Sequence, residues 1–289
     1  MSYIPTPSHE DQSVNFIKTI SPSKMIETRF VRRTPDYFIA YLSSQTGCKQ
    51  ACRFCHLTAT GQVQDDNVSL NDILEQADTI LTYHLSLEQK SPLVHFNFMA
   101  RGEPLANPHL TSPDNYQRMS ILLHSLARSY GLESKIKISS IIPLDALAHT
   151  GNLDHILEDP RTELYYSLYS VSEAFRKRWI PRGAALHDVG EALKDRHEQI
   201  VLHHAFIKGE NDSKEDIKGI LTWLEDYNIK ARFNVVRYNP YSDKQGSEAN
   251  ECVIEKLDKE MRASAQIIGG RIVPRVGYDV KASCGMFMV

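Results

Sequence analysis

The chain has 289 residues, 42% of them hydrophobic and 24% charged, which allows one large α/β domain with a substantial core. A net charge of -3 excludes a global pull toward nucleic acid or an anionic membrane, while leaving room for a local basic patch. No apolar run approaches a membrane span, the N-terminal stretch lacks the pattern of a signal peptide, and an odd count of five cysteines with three in a tight cluster argues against a secreted disulfide framework, so a cytoplasmic, reducing setting is expected.

Residues 1–26 carry prolines and serines without a clear period and read as an extended lead-in; residues 27–289 form the main domain. From there β-rich apolar runs at 37–42, 93–99, 135–139, 164–168, 200–207, 231–238 and 271–276 alternate with helical patterns at 70–86, 115–130, 143–157, 186–196, 213–227 and 250–267. Ser69 ahead of Asp72 and Ser213 ahead of Asp216 supply helix starts. Strand and helix repeated about six times predict a parallel sheet with right-handed crossovers, closed into a full or partial (β/α) barrel. In such a barrel the chemistry sits at the C-terminal ends of the strands. The first strand runs into a cysteine loop, the second into Gly102-Glu103-Pro104, the third into Ser139, the fourth into Ser167-Leu168-Tyr169 and the sixth into Asn239.

The loop reads Cys48-Lys-Gln-Ala-Cys52-Arg-Phe-Cys55. This C-x3-C-x2-C spacing arises by chance in about one chain in a thousand of this composition. Three thiolates on one short loop suit three irons of a cubane cluster and leave the fourth iron open to a ligand. A structural zinc site is the alternative. It asks for four ligands, and only His56, directly after Cys55, offers itself as the fourth.

These residues resemble the radical-SAM enzymes, which reductively cleave S-adenosylmethionine (SAM) at a 4Fe-4S cluster. The blocks Ser43-Ser44-Gln45-Thr46-Gly47-Cys48, Gly102-Glu103-Pro104-Leu105 and Ala282-Ser283-Cys284-Gly285 are similar to the radical-SAM RNA methyltransferases that act on adenine ring carbons in rRNA and tRNA. The resemblance runs from about Glu27 to Gly285. It implies that Cys48, Cys52 and Cys55 hold the cluster. Gly102 and Glu103 would bind the amino group of SAM, and Ser139, Ser167, Leu168, Tyr169 and Asn239 would line its site. Cys284 would carry the methyl group, and Glu27 would accept a proton. It further implies an RNA or nucleotide substrate, an electron donor such as flavodoxin or ferredoxin, and no membrane partner.

Three departures qualify it. Tyr41 stands seven residues before Cys48, where the family has a second cysteine that removes a proton and resolves the protein–RNA adduct as a disulfide; a phenol cannot form that disulfide. Cys252 is the candidate substitute. Tyr169 stands where the family has histidine. Little sequence lies outside residues 27–289 for the accessory domain and C-terminal extension of the family, so RNA contact is expected from the barrel, with Arg29, Arg32 and Arg33, and Arg176, Lys177, Arg178 and Arg182, as basic clusters. Phe175 and Trp179 would either stack on a base or anchor their helix. Two alternatives remain: a different radical reaction on a nucleotide or other substrate, and a metal-stabilised nucleic-acid-binding protein without catalysis.

Overall fold

The computed structural model describes residues 2–148 and 152–289. Among them ten strands form one sheet in sequence order: β1 (Ile4–Pro7), β2 (Val14–Ser21), β3 (Lys24–Thr34), β4 (Tyr37–Tyr41), β5 (Leu93–Phe98), β6 (Glu133–Ser140), β7 (Thr162–Tyr166), β8 (Ile200–His204), β9 (Ala231–Val235) and β10 (Ile267–Ile272). From β4 onward every pairing is parallel. The described helices are α1 (His56–Ala59), α2 (Leu70–Ser86), α3 (Pro108–Thr111), α4 (Pro113–Ser129), α5 (Asp154–Leu157), α6 (Glu173–Trp179), α7 (Leu186–Leu193), α8 (Lys214–Asp226) and α9 (Glu251–Arg262). This is a partial (β/α) barrel. The edge of β10 faces β4 without a strand ladder among the described residues, and Arg271 donates across the seam to the Tyr37 hydroxyl at 2.7 Å.

Helix starts follow the expected chemistry. Ser69 caps α2 by accepting from Asp72 N, and Ser213 with Asp216 forms a reciprocal capping box on α8. The parallel strands alternate. Phe38 and Ala40, Val94 and Phe96, Ile136 and Ile138, and Phe233 and Val235 join the main core with α2 residues such as Ile80 and α8 residues such as Ile220. The residues between them, His95, Lys137 and Asn234, together with Asn97 near the end of β5, Tyr165 on β7 and His203 on β8, line an inner cavity, so the barrel interior is polar and hollow rather than packed.

All seven expected parallel strands are present, the last about four residues earlier than its apolar run suggests. Two expectations are corrected. Residues 4–26, expected as an extended lead-in without regular elements, are built into the sheet: β1 pairs antiparallel with β2, β2 pairs antiparallel with β3, and β3 begins before residue 27 and joins β4 antiparallel. Of the helix expected over 143–157, the described residues are helical only at Asp154–Leu157; Pro143–Ala148 is irregular, and residues 149–151 fall outside the described residues.

Candidate active site

The cysteine loop leaves β4 at the C-terminal rim. Ala51, at φ 57, turns it between Cys48 and Cys52, and Cys55 is the N-cap of α1. A small apolar cluster seats it: Cys52 packs with Ile141, Tyr169, Phe175, Trp179 and Tyr238, and the Tyr169 ring stacks on Phe54 at 4.5 Å. Arg53 N donates to Trp179 O at 3.0 Å, and the Arg53 guanidinium lies 5.2 Å from the Trp179 ring centre. Trp179 is 1% exposed, so Phe175 and Trp179 anchor this helix rather than wait for a base.

The three cysteines line one cavity of about 870 Å³, solvent at its mouth included, together with Gly102, Glu103, Ser139, Ser167, Tyr169, Asn239 and Cys284. Gly102 is at φ +98, and a Cβ there would lie 2.6 Å from Gln45 N, so only glycine lets the β5 turn approach the loop this closely. Glu103 is 4% exposed. It accepts from Ser140 Oγ, Leu105 N (3.0 Å) and Ile141 N (3.2 Å), while Gln45 Oε1 holds its own N–H at 3.0 Å. Burial pushes this carboxyl up to about 7, against the pull of those donors. A buried carboxylate facing open space is a site for hydrogens from a ligand amine.

Asn239 holds the opposite wall. Its Nδ2 donates to Cys284 O at 2.9 Å, and its carbonyl accepts from His56 Nε2 at 3.0 Å. His56 is thereby turned away from the thiols. Among the described residues no three His, Cys, Asp or Glu side chains converge on one point as a single zinc requires. A cubane does not ask for that convergence, because each thiolate caps a different iron and the sulfurs stand apart. Without metal the thiols are held protonated: burial raises Cys48 and Cys52 strongly and Cys55 to about 11, so a loaded cluster must displace protons.

Cys284 is exposed to the cavity, although protein surrounds it; burial raises its thiol, and Arg29 and Arg33 pull it back. Its loop is fixed from below. Glu27, 0% exposed, bonds Arg101 Nη1 (2.6 Å), Arg29 Nη2 (2.9 Å), Asn15 Nδ2 (3.1 Å) and Met288 N (3.0 Å), while Arg29 Nη2 grips Met286 O at 2.7 Å. The β1–β3 sheet thus latches the segment that carries Cys284.

Glu27 therefore lies outside the cavity wall, with its carboxylate consumed by four partners, and its position does not support the proton-acceptor expectation. Leu168 also leaves the site: it is buried in the main core. Cys252 is exposed on α9 and lines neither this cavity nor the barrel interior, so it is not placed to stand in for Tyr41. Both basic clusters divide. Arg176 is buried and donates to Ala184 O at 2.9 Å, Arg178 pairs with Glu210, Arg29 belongs to the latch, and Arg33 turns into the barrel. Arg237, which lines the cavity, is a residue sequence reasoning missed, as is the bond of Ser140 to Glu103, although the sequence places Ser139-Ser140 at the rim. The paired serines at the end of β6 were the available signal for that bond.

No family model matches the chain. The ribosomal RNA large subunit methyltransferase Cfr of Lachnoclostridium phytofermentans is 30% identical over 257 residues, covering 86% of this chain and 69% of that protein. The chain belongs to the family of the RlmN and Cfr radical-SAM methyltransferases. The dual-specificity RNA methyltransferase RlmN of Oleidesulfovibrio alaskensis is 26% identical over 98% of this chain and 76% of its own. The crystal structure of a radical SAM methyltransferase from Sphaerobacter thermophilus superposes with a TM-score of 0.76 over 99% of this chain and 81% of that one, at 19% identity, and shares the fold. Family membership makes the protein an enzyme, sets the non-catalytic alternative aside, and implies SAM and an iron–sulfur cluster. No helix among the described residues is long and apolar enough to cross a membrane.

Proposed function

We propose that the protein methylates an adenine ring carbon in RNA, with Cys284 as the methyl carrier. The observation that carries this reading is that Cys284 faces the cavity of the C-x3-C-x2-C loop, beside Glu103 and Asn239. Relatives that match most of the chain are named as methyltransferases of RNA, one of them of large-subunit ribosomal RNA.

Cys48, Cys52 and Cys55 would hold a 4Fe-4S cluster, which when bound supplies the electron that splits SAM. The electron comes from a small donor protein such as a flavodoxin or ferredoxin. Glu103 accepts hydrogen bonds from the amino group of SAM, and Ser139, Ser167 and Tyr169 border the space left for the rest of the molecule. For the first transfer, the Cys284 thiol gives its proton to solvent and its sulfur attacks the methyl carbon of SAM, so that the new carbon–sulfur bond forms as the sulfonium bond breaks and S-adenosylhomocysteine leaves. Arg29 and Arg33 favour that thiolate, and Asn239 with the Glu27 latch aims it.

Tyr41 favours a second reading, a radical reaction that ends without a cysteine adduct, because no thiol stands at its place. The two readings separate on Cys284. Reconstituted protein incubated without oxygen with labelled SAM, a reductant and candidate RNAs should form 5′-deoxyadenosine, carry a methyl group on Cys284 and label RNA. Cys284→Ala should keep the cluster and lose both methyl signals. An unmodified Cys284 beside active deoxyadenosine formation would assign the second reading.

A further inference from the structure

The barrel holds a second cavity that the SAM site does not use. It occupies about 720 Å³, mouth included, and meets the first cavity at Met99, His203, Arg237 and Cys284. Its wall contains six cations, Arg29, Arg33, Lys137, Arg237, Arg271 and Arg275, and no Asp or Glu. The acids stand one layer behind: Glu27 on Arg29, Glu163 on Lys137, Glu248 on Arg275, and Glu251 on Arg237. They fix the cations in place, and two of them are shared with Arg101 and Arg232.

Positive charge is therefore in excess on the inner surface. Among the described residues Arg33 and Arg271 have side-chain partners only in phenols, Tyr41 at 3.4 Å and Tyr37 at 2.7 Å. Arg33 Nε and Arg237 Nη1 are buried without a partner. Unpartnered buried donors of this kind mark a place where a ligand completes the bonding. Three hydroxyls, on Tyr37, Tyr41 and Tyr165, add further donors. His95 and His203 are held neutral, pushed by burial to about 3 and about 4, the first also by Lys137 and the second by Arg33.

An arginine-rich wall without carboxylates matches a doubly charged tetrahedral anion better than a carboxylate, because planar guanidinium forks engage several phosphate oxygens at once. The depth also fits a bipartite ligand. From the level of Tyr37 to that of Tyr41 is about 13 Å at the rise of a parallel strand, with Arg271 at the lower end and Cys284 at the upper.

We propose that this inner chamber is a phosphate-binding site, which holds the phosphate of the substrate nucleotide and presents its base to Cys284. The assignment rests on the methyl-transfer reading only for the role of Cys284; the anion site stands on its own wall. The phosphate belongs either to a free nucleotide or to an RNA backbone, and the test separates them.

Reconstituted full-length protein is titrated, at fixed salt, with adenosine 5′-monophosphate, with adenosine and with a short adenine-containing RNA. Alkylation of Cys284 is followed by mass spectrometry, with exposed Cys252 as internal reference. The monophosphate should bind at least tenfold more tightly than adenosine and slow alkylation of Cys284 but not of Cys252. Arg271→Gln with Arg275→Gln should erase the tenfold difference while SAM still binds and is still cleaved. The same dependence seen with the RNA alone would assign the phosphate to a backbone. Equal binding of monophosphate and adenosine with no effect of the paired substitution on RNA, or protection that survives it, overturns the proposal. Loss of SAM cleavage in the unaltered protein would instead count against the radical-SAM reading, independently of the anion result.

Discussion

Glu103 shows how one residue is prepared for its ligand. Its carboxyl sits among backbone donors yet is held near 7, because burial outweighs them in the open cavity. SAM binding favours the ionised form, which accepts from the amino group, so the bound carboxyl titrates lower than the free one. The sign follows: affinity is full above about 7 and falls as pH drops through 7, by up to about tenfold per unit. Equilibrium binding of SAM at pH 6 and pH 8 should differ by about tenfold. Glu103→Gln should bind roughly tenfold or more weakly at pH 8, at about 1.5 kcal/mol or more for a charge-assisted bond, and lose most of the pH dependence. A dependence that persists in the glutamine variant would assign the titration to another group.

At the scale of elements, the N-terminal hairpin and the C-terminal segment form one device. Asn15 on β2 holds Val280 O, Asp11 accepts from Gly277 N, and Glu27 on β3 ties Arg29, Arg101 and Met288 together. Removing one partner of a buried ion cluster leaves uncompensated charge and costs about 3–5 kcal/mol. Glu27→Gln should therefore lower the unfolding midpoint and, by freeing the Cys284 loop, remove methylation of Cys284 itself while the cluster still loads. If Glu27 were the proton acceptor, Cys284 would still become methylated and only the product methyl on RNA would be lost. Mass spectrometry of Cys284 with a thermal melt distinguishes the two. The latch was not legible in the sequence. Its strands carry Pro5 and Pro7, its hydrogen bonds reach residues more than 250 positions away, and no spacing rule links Glu27 to Met288. The cysteine loop was legible because its ligands are local, as were α2 and α8 with their Ser–Asp caps. The 143–157 pattern misled because apolar residues that pack individually, such as Ala146 and Leu153, mimic a helical stripe where, among the described residues, only Asp154–Leu157 is helical.

For the whole molecule, the strands carried more information than their apolar content. Val94-His95-Phe96-Asn97-Phe98 and Ile136-Lys137-Ile138 alternate, which marks an apolar outer face and a polar interior, yet they pass for continuous buried strands when only hydrophobic content is weighed. The result is a barrel whose centre holds chemistry in place of packing: thiols raised by burial, a Glu103 carboxyl held near 7 and a wall of cations. Such a centre gains stability from what fills it. Loading the cluster converts the three buried thiols to metal-bound thiolates and ties the β4 loop to its seat, so the loaded protein should melt roughly 5 to 10 °C above the metal-free form. Because that loading releases protons from thiols held above their ordinary range, the gain should shrink as pH falls from 8 to 6. Anaerobic calorimetry of the two forms across that range measures it directly. A gain that is independent of pH would mean that the thiols are already ionised in the empty site, contrary to their burial.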